Sequence, residues 1–433
     1  GRRPVTRRLL SGVLALILAG FADREMDAAA AAPSAEMKTQ VFRYLDSTDT
    51  DEAAGILKSI LSDPNATIDQ TIGIIQTGRD YALQPIGTIP EEEVDVQGEA
   101  YDLALSIPLT YQTAKGYGLV VCLHGAGFTG KAYLERWQAR LGEDYVLACP
   151  TAPMGAWFTR EAEELVLATI RSVQRRYHID PDRIFLTGMS NGGIGTWVIG
   201  MHDAPLFAGI APMAGGLDRV LMPFLANLRS TPIYIIHGSK DQVMPVELSR
   251  TITEELTRLG YPYVYREHDR EHPMAGGHYF PREELPALVT WLNAQRRNPL
   301  PTSMTVVREA SHFQSFGWVR IDATDVIAVF SEDLVGKRDD RIRRQEYARL
   351  DVSIVAPNRI EVHADRVQRY SLFLNEQLVD SSQPLVVLTN GQVSFDGLVT
   401  PSLETLLRQA RLRQDSRQLF PIHLAIQVRK QPS

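Results

Sequence analysis

Arg183-Ile184-Phe185-Leu186-Thr187-Gly188-Met189-Ser190-Asn191-Gly192-Gly193 is the stretch that decides the fold. Its first five residues are an apolar run of the kind found in a buried strand. Ile194-Gly195-Thr196-Trp197-Val198-Ile199, which follows, reads as the start of a helix. A serine between a strand and a helix stands on a sharp turn with its hydroxyl exposed at the strand's carboxyl end. Such a turn crowds the positions two before and two after it, so both must be tiny. Gly188 and Gly192 meet that need. Chance gives a G-x-S-x-G in on the order of one chain in ten of this length, so the flanking pattern must decide.

Outward from this turn, strand and helix signals alternate. Val94–Val96 and Tyr101–Pro108 read as a hairpin. Strands follow at Gly118–His124, Asp144–Cys149, Phe207–Met213, Pro232–His237 and Tyr263–Glu267. Helices are expected at Ala132–Leu141, Glu161–Tyr177, Asp218–Leu228, Pro245–Leu259 and Pro281–Ala294. This alternation predicts an α/β fold with a mostly parallel eight-stranded sheet and helices on both faces. In such sheets the reactive groups gather at the carboxyl ends of the strands.

A serine hydroxyl is a weak nucleophile until a base takes its proton. Asp241 follows the Pro232–Ile236 run in the loop His237-Gly238-Ser239-Lys240-Asp241, where an acid can orient a histidine. A helix cap before Pro245 is the alternative use of that residue. His278, in Gly276-Gly277-His278-Tyr279, lies between the last strand and the last helix and is the base candidate. His268 and His272 are its rivals, but neither has flanking glycines and His268 falls at a strand end. The three histidines lack the spacing of a metal site, and no cofactor is required.

A tetrahedral intermediate needs hydrogen-bond donors for its oxyanion. The Asn191 N–H, directly after the serine, supplies one. Ala126, in Leu123-His124-Gly125-Ala126-Gly127, supplies the other, with His124 organising that loop. Met154, Trp157, Phe158, Met189, Met213, Met244 and Tyr279 fall near strand ends. Trp157 and Met189 are the substrate-contact candidates among them, against core packing for the rest.

Leu123-His124-Gly125, the run Ile179-Asp180-Pro181-Asp182-Arg183 leading into Gly188-Met189-Ser190-Asn191-Gly192-Gly193, and the Asp241 and His278 loops resemble the carboxylesterase and phospholipase branch of the α/β-hydrolase superfamily. They are also similar to its exported feruloyl-esterase and polyhydroxyalkanoate-depolymerase-like relatives. The resemblance covers about residues 91–297. It implies Ser190, Asp241 and His278 as a catalytic triad acting on carboxylic esters, in agreement with the residue-level reading. The segment Glu267–Gly277 carries more charge than the family pattern, and the flanking regions have no counterpart in it.

Those regions are read from the chain itself. The 433 residues exceed one ordinary core. Arg2, Arg3, Arg7 and Arg8, the short apolar run Leu9–Ala22 and the alanines at 28–32 read as a signal peptide over 1–32, which predicts export to the periplasm or the cell exterior. No stable membrane span is expected after its cleavage. Residues 36–85 read as a helical segment, with a cap at Thr50 or Asp51. Residues 91–297 form the catalytic region. A linker, Asn298-Pro299-Leu300-Pro301-Thr302-Ser303, leads into a β-rich region over 303–433. That region is expected as a small sandwich with a turn at Asn390-Gly391 and one helix near Leu403–Arg413. Lys337–Arg344 reads as a solvated charge run.

A net charge of -7 argues against nucleic acid as the main partner. The expected partner is a small-molecule or polymeric ester, because no long insertion caps the site. Two other functions share these motifs: a serine peptidase of prolyl-oligopeptidase type, against which the lack of a propeller pattern in this sequence speaks, and a non-catalytic binding protein, which a complete triad argues against. Cys122 and Cys149 are either two buried thiols or a disulfide.

Overall fold

The computed structural model describes residues 34–309, 314–329 and 335–429. The expected signal peptide lies outside them. Three helices come first, α1 (Ala35–Asp46), α2 (Thr50–Ser62) and α3 (Ile68–Thr77). Ser34, Asp49 and Thr67 cap them, each accepting a backbone N–H of the first turn. The α2 cap is thus Asp49, one residue before the expected pair.

The central sheet follows. A hairpin of β1 (Gly87–Val96) and β2 (Glu99–Ile107) leads into β3 (Tyr117–Leu123), α4 (Gly130–Leu141), β4 (Tyr145–Pro150), α5 (Arg160–Arg176), β5 (Ile179–Met189), α6 (Asn191–His202), β6 (Gly209–Met213), β7 (Tyr234–Gly238), α7 (Glu247–Leu259), β8 (Val264–His268) and α8 (Leu285–Ala294). The eight strands lie in the order β1-β2-β4-β3-β5-β6-β7-β8. β2 runs antiparallel to its neighbours and the strands from β4 to β8 are parallel. Every residue of β3 and β4 is buried, as expected of parallel strands covered on both faces. Cys122 and Cys149 sit there as free, buried thiols, and burial pushes the Cys122 thiol up. The expected helix at Asp218–Leu228 is instead a 3₁₀ segment, Arg219–Leu228, with Pro223 inside it. A proline there removes one N–H and clashes with the preceding turn, which disfavours a regular α-helix.

The last region contains β9 (Ser303–Arg308), β10 (Val319–Thr324), α9 (Val335–Arg343), β11 (Ala348–Ala356), β12 (Arg359–Asp365), β13 (Val367–Leu374), β14 (Leu385–Thr389), β15 (Gln392–Gly397), α10 (Leu403–Arg413) and β16 (Ile422–Gln427). They form a three-stranded sheet, β10-β13-β16, and a five-stranded one, β15-β14-β12-β11-β9. The charge run at Lys337–Arg344 falls largely within α9, and Ile342 within it is buried.

These regions share their cores. Met304, Val306 and Val307 of β9 belong to the same apolar cluster as Phe224, Leu228 and Ile199 of the first sheet region. Asn227 spans that junction, donating to the Val307 carbonyl (3.1 Å) and accepting its N–H (2.6 Å). At the other side, Met37, Val41, Leu57 and Ile60 of α1 and α2 pack with Leu406, Leu407 and Ala410 of α10. The helical segment therefore buries its apolar stripe against the last helix of the chain.

Candidate active site

Ser190 stands between the end of β5 and the start of α6 with φ 60° and ψ -122°. A non-glycine residue held there carries strain of about 1–3 kcal/mol. Two backbone bonds hold it. The Ser190 N–H donates to the Met213 carbonyl (3.0 Å), and its carbonyl accepts the Ile194 N–H (3.0 Å). The glycines around it are required by contact. A methyl at Gly192 would collide with the Leu123 carbonyl, and one at Gly188 with the Gly192 carbonyl. A methyl at Gly193 would come within 2.5 Å of the Met213 carbonyl. The elbow is therefore pressed against β3 on one side and β6 on the other.

Asp241 lies in the loop after β7 with its side chain fully enclosed. Its Oδ1 accepts the N–H groups of Val243 and Met244, both at 2.9 Å. Its Oδ2 accepts the Nδ1–H of His278 at 2.7 Å. That bond fixes the tautomer with Nδ1 protonated and leaves Nε2 as the proton acceptor. The His278 side chain stays partly open to solvent. Among the described residues Nε2 makes no hydrogen bond to Ser190; such bonds commonly tighten only when substrate is bound. Gly277 and Gly238 let the two loops approach, since a Cβ on Gly277 would strike the Lys240–Asp241 peptide.

His237 was not singled out by sequence, yet it shapes the acid loop. It is buried, its Nε2 bonds the Met244 carbonyl (2.8 Å) and its Nδ1 the Ser249 hydroxyl (2.7 Å). Nε2 also lies 3.4 Å from Asp241 Oδ2. Burial lowers its pKa, which favours the neutral ring. Ser249 reaches on to the Gly215 carbonyl (3.4 Å), and Gly215 packs on Gly193 of the elbow. A chain of contacts thus joins the serine turn to the acid. The two rival histidines point elsewhere. His268 Nε2 bonds the Tyr279 carbonyl at 3.2 Å, and His272 accepts the Met274 N–H at 3.1 Å.

The loop after β3 passes beside the serine. A Cβ on Gly125 would lie 3.6 Å from Ser190 Cβ, and Ala126, next to it, is exposed. His124 is buried beneath. Its Nδ1–H donates to the Gly125 carbonyl (2.8 Å), its Nε2 accepts the Ala152 N–H (3.1 Å), and its carbonyl accepts the Trp157 indole N–H (2.7 Å). Burial lowers the His124 pKa, so it serves as a neutral brace. Asn191 is the first residue of α6, where helix N–H groups lack intrahelical acceptors.

Trp157 corrects the sequence reading. It is fully buried, packed against Gly195 of α6 and hydrogen-bonded to the His124 carbonyl. It supports the loop from below and presents no surface to solvent. Met189 is half-buried at the end of β5. The exposed apolar side chains are instead Phe128, Met154, Phe158, Val243 and Met274, at 42–90% exposure. Three of them, Phe128, Val243 and Met274, carry no sequence signal beyond their place on site loops.

No family model matches the chain. Among curated proteins it is 26% identical over 229 residues to acyl-protein thioesterase 1 of Gibberella zeae, covering 43% of this chain and 95% of that protein. It is 26% identical over 166 residues to a probable feruloyl esterase C of Aspergillus terreus, covering 35% and 58%. It is 32% identical over 114 residues to poly(3-hydroxyalkanoate) depolymerase C of Paucimonas lemoignei, covering 23% and 28%. A solved thermostable esterase aligns with a TM-score of 0.42 and 25% identity over 48% of this chain and 63% of its own.

The chain has the α/β-hydrolase fold. The strand order, the elbow and the succession of serine, acid and histidine loops are those of that fold. In this hydrolase the serine, acid and histidine loops sit at the carboxyl ends of β5, β7 and β8, with β6 between as the support for the Ser190 backbone.

Proposed function

We propose that this hydrolase cleaves carboxylic esters through an acyl-enzyme, with Ser190 as nucleophile, His278 as general base and Asp241 as its orienting acid. The observation that carries the reading is the Asp241–His278 bond in the loops flanking a strained serine elbow. Ser190 Oγ attacks the ester carbonyl carbon while His278 Nε2 takes its proton. The Asn191 and Ala126 N–H groups hold the resulting oxyanion. The carbon–oxygen bond to the alcohol breaks as His278 returns the proton to it. Water, deprotonated by the same nitrogen, attacks the acyl carbon, frees the acid and restores Ser190. Throughout, Asp241 keeps Nδ1 protonated and stabilises the transient imidazolium. The activities named for the curated relatives support this reaction class.

The basic and apolar N-terminal stretch supports export of the enzyme to the periplasm or beyond. A mature protein that begins near residue 33 is the expected finding by mass spectrometry, and retention of residues 1–32 on the exported protein argues against cleavage.

A p-nitrophenyl ester series tests the chemistry. Wild type turns over, Ser190→Ala loses on the order of 10⁶-fold in kcat, and Asp241→Asn about 10⁴-fold. Wild-type protein inert on every acyl length, or a Ser190→Ala variant of unchanged rate, sinks the proposal.

A further inference from the structure

The amino edge of the central sheet, at the other end of the strands from Ser190, carries a cavity of about 340 Å³. Its walls come from three regions of the chain. α1 and the segment after α3 supply one part, the last turns of α5 with the first residues of β5 another, and α10 with the residues after it the third. Gly116, which also lines it, immediately precedes β3, so about 20 Å of strand separates the cavity from the serine loops. The size suits a small molecule, since such sites span roughly 300–1,000 Å³. Tyr81 and His178 stack in its wall with ring centroids 5.0 Å apart.

The charge in this cavity is out of balance. Arg79, Arg171, Arg175 and Arg417 line it, with Asp180 and Asp415. Both aspartates are already bound by arginines outside the lining, Asp180 by Arg296 (2.7 Å) and Asp415 by Arg297 (2.6 Å). Arg79 binds Asp46 through both Nη atoms, and Arg175 comes only within 3.7 Å of the same carboxylate. Arg417 Nε lies 3.3 Å from Asp182, which also pairs with Arg297. Arg171 has no carboxylate partner among the described residues. Desolvation and the Arg175 charge lower its pKa, and Asp203 offsets them only in part. Across these contacts six arginines meet four aspartates, which leaves two positive charges over in a chain of net charge -7. Arg171, Arg175 and Arg417 are exposed, and among the described residues none of them donates a side-chain hydrogen bond. A helix C-terminus attracts cations, which accounts for Arg175 at the end of α5. It accounts neither for Arg171, a turn earlier, nor for Arg417.

We infer that this cavity is a binding site for a small polyanion, a molecule bearing at least two phosphoryl or carboxyl groups, held by Arg171, Arg175 and Arg417. The site is independent of the ester chemistry at Ser190. A guanidinium fork matches the paired oxygens of either group and bonds them bidentately. Two anionic groups are required because the open forks stand on two separate elements, α5 and the segment after α10, and because two positive charges await compensation. The occupant bridges those elements and so fastens the β-rich region to the hydrolase sheet. Its binding free energy adds to the stability of the folded chain.

Pyrophosphate and citrate serve as probes, each compared with sodium chloride at matched ionic strength. Affinity is read by calorimetry and the unfolding temperature by fluorimetry. The parent protein is expected to bind at least one probe and to unfold a few degrees higher in its presence. Arg171→Gln breaks no ion pair, so it should unfold with the parent in chloride yet bind the probe about tenfold more weakly. Arg171→Lys keeps the charge but not the fork and should fall between the two. Arg359→Gln, an exposed arginine on β12, keeps the parent's affinity. Binding of pyrophosphate alone assigns a phosphoryl ligand, binding of citrate alone a carboxylate one, and binding of both supports the shared chemistry. Failure of the parent to bind either probe, or equal affinity in Arg171→Gln, overturns the site. An equal rise in unfolding temperature for parent and Arg171→Gln marks general exclusion of these salts from the protein surface and overturns it as well.

Discussion

The two ends of α6 are built by opposite means. At its start, the Ser190 turn is held by backbone hydrogen bonds and by glycines that let main chains touch, with no charged side chain from Met189 to Trp197. At its end, His202 is buried between Glu163 of α5 (2.9 Å) and Glu309 beyond β9 (3.4 Å), and Arg308 Nη2 donates to the His202 carbonyl. Nearby Arg297 binds both Asp182 and Asp415. The contrast follows from what each end must do. Charge beside the nucleophile would perturb the reacting groups, so shape fixes that end. Buried ion pairs at the far end select one way of seating the β-rich region on the hydrolase sheet, because an unpaired buried charge is costly.

The sharpest break in the comparison comes from the shape-built end. Gly192→Ala puts a methyl into the Leu123 carbonyl, and neither backbone can yield without moving β3 or the elbow. Loss of ester hydrolysis by at least about 10³-fold is expected, with the remaining fold measurable by circular dichroism. A variant of near wild-type kcat would show that the elbow tolerates displacement.

At the charge-built end the effect falls on stability. Arg297→Ala strands Asp415, whose carboxylate accepts both Arg297 Nη1 (2.6 Å) and Nη2 (3.1 Å) in a buried setting. A loss of about 3–5 kcal/mol is expected, read by urea denaturation. The catalytic rate at 25 °C should change little, because Arg297 lies beyond α8, away from the serine loops. Equal losses of stability and kcat would mean the two ends are not separable.

His202 gives a subtler test. Burial alone would lower its pKa, but Glu163 and Glu309 outweigh that and raise it to about 10. A raised pKa means the folded protein holds the proton that the unfolded chain releases near 6.5. Its contribution is therefore complete below about pH 6.5 and declines as pH climbs toward 10. Urea midpoints between pH 6.5 and 10 should fall more steeply for wild type than for His202→Gln. Parallel profiles would remove His202 from the ion pair.

What sequence could reveal divides along the same line. The elbow was legible because backbone crowding forces glycine at fixed offsets, and the acid and histidine loops followed from strand order. The helix near Leu403–Arg413 was legible, since its apolar stripe is regular, and Ser402 caps it in the structure. The junctions were not. That β9 shares a core with the 3₁₀ segment Arg219–Leu228, and α1 with α10, depends on contacts far apart in the chain that no local period encodes. Trp157 was misread for a related reason. A loop position after a strand suggested exposure, but Gly195 on α6 opens a space that the indole fills. His237 was passed over because its partners, Ser249 and the Met244 carbonyl, come together only when the loop folds back.

The smallest effect isolates one of the two ways glycine is used here. Gly391, in the Asn390-Gly391 turn between β14 and β15, has φ +80°, and an added Cβ would meet nothing within 4 Å. Asn390 beside it has φ 51°, so both central residues are left-handed, as a tight two-residue hairpin requires. Gly391→Ala therefore incurs only the backbone penalty of a left-handed alanine, about 1 kcal/mol. Thermal unfolding should shift by a few degrees with ester hydrolysis untouched. Gly192 has no such dihedral requirement and faces only crowding. If Gly391→Ala were to cost as much as Gly192→Ala, contact would not be what sets the elbow apart, and the strain at Ser190 itself would have to carry the difference.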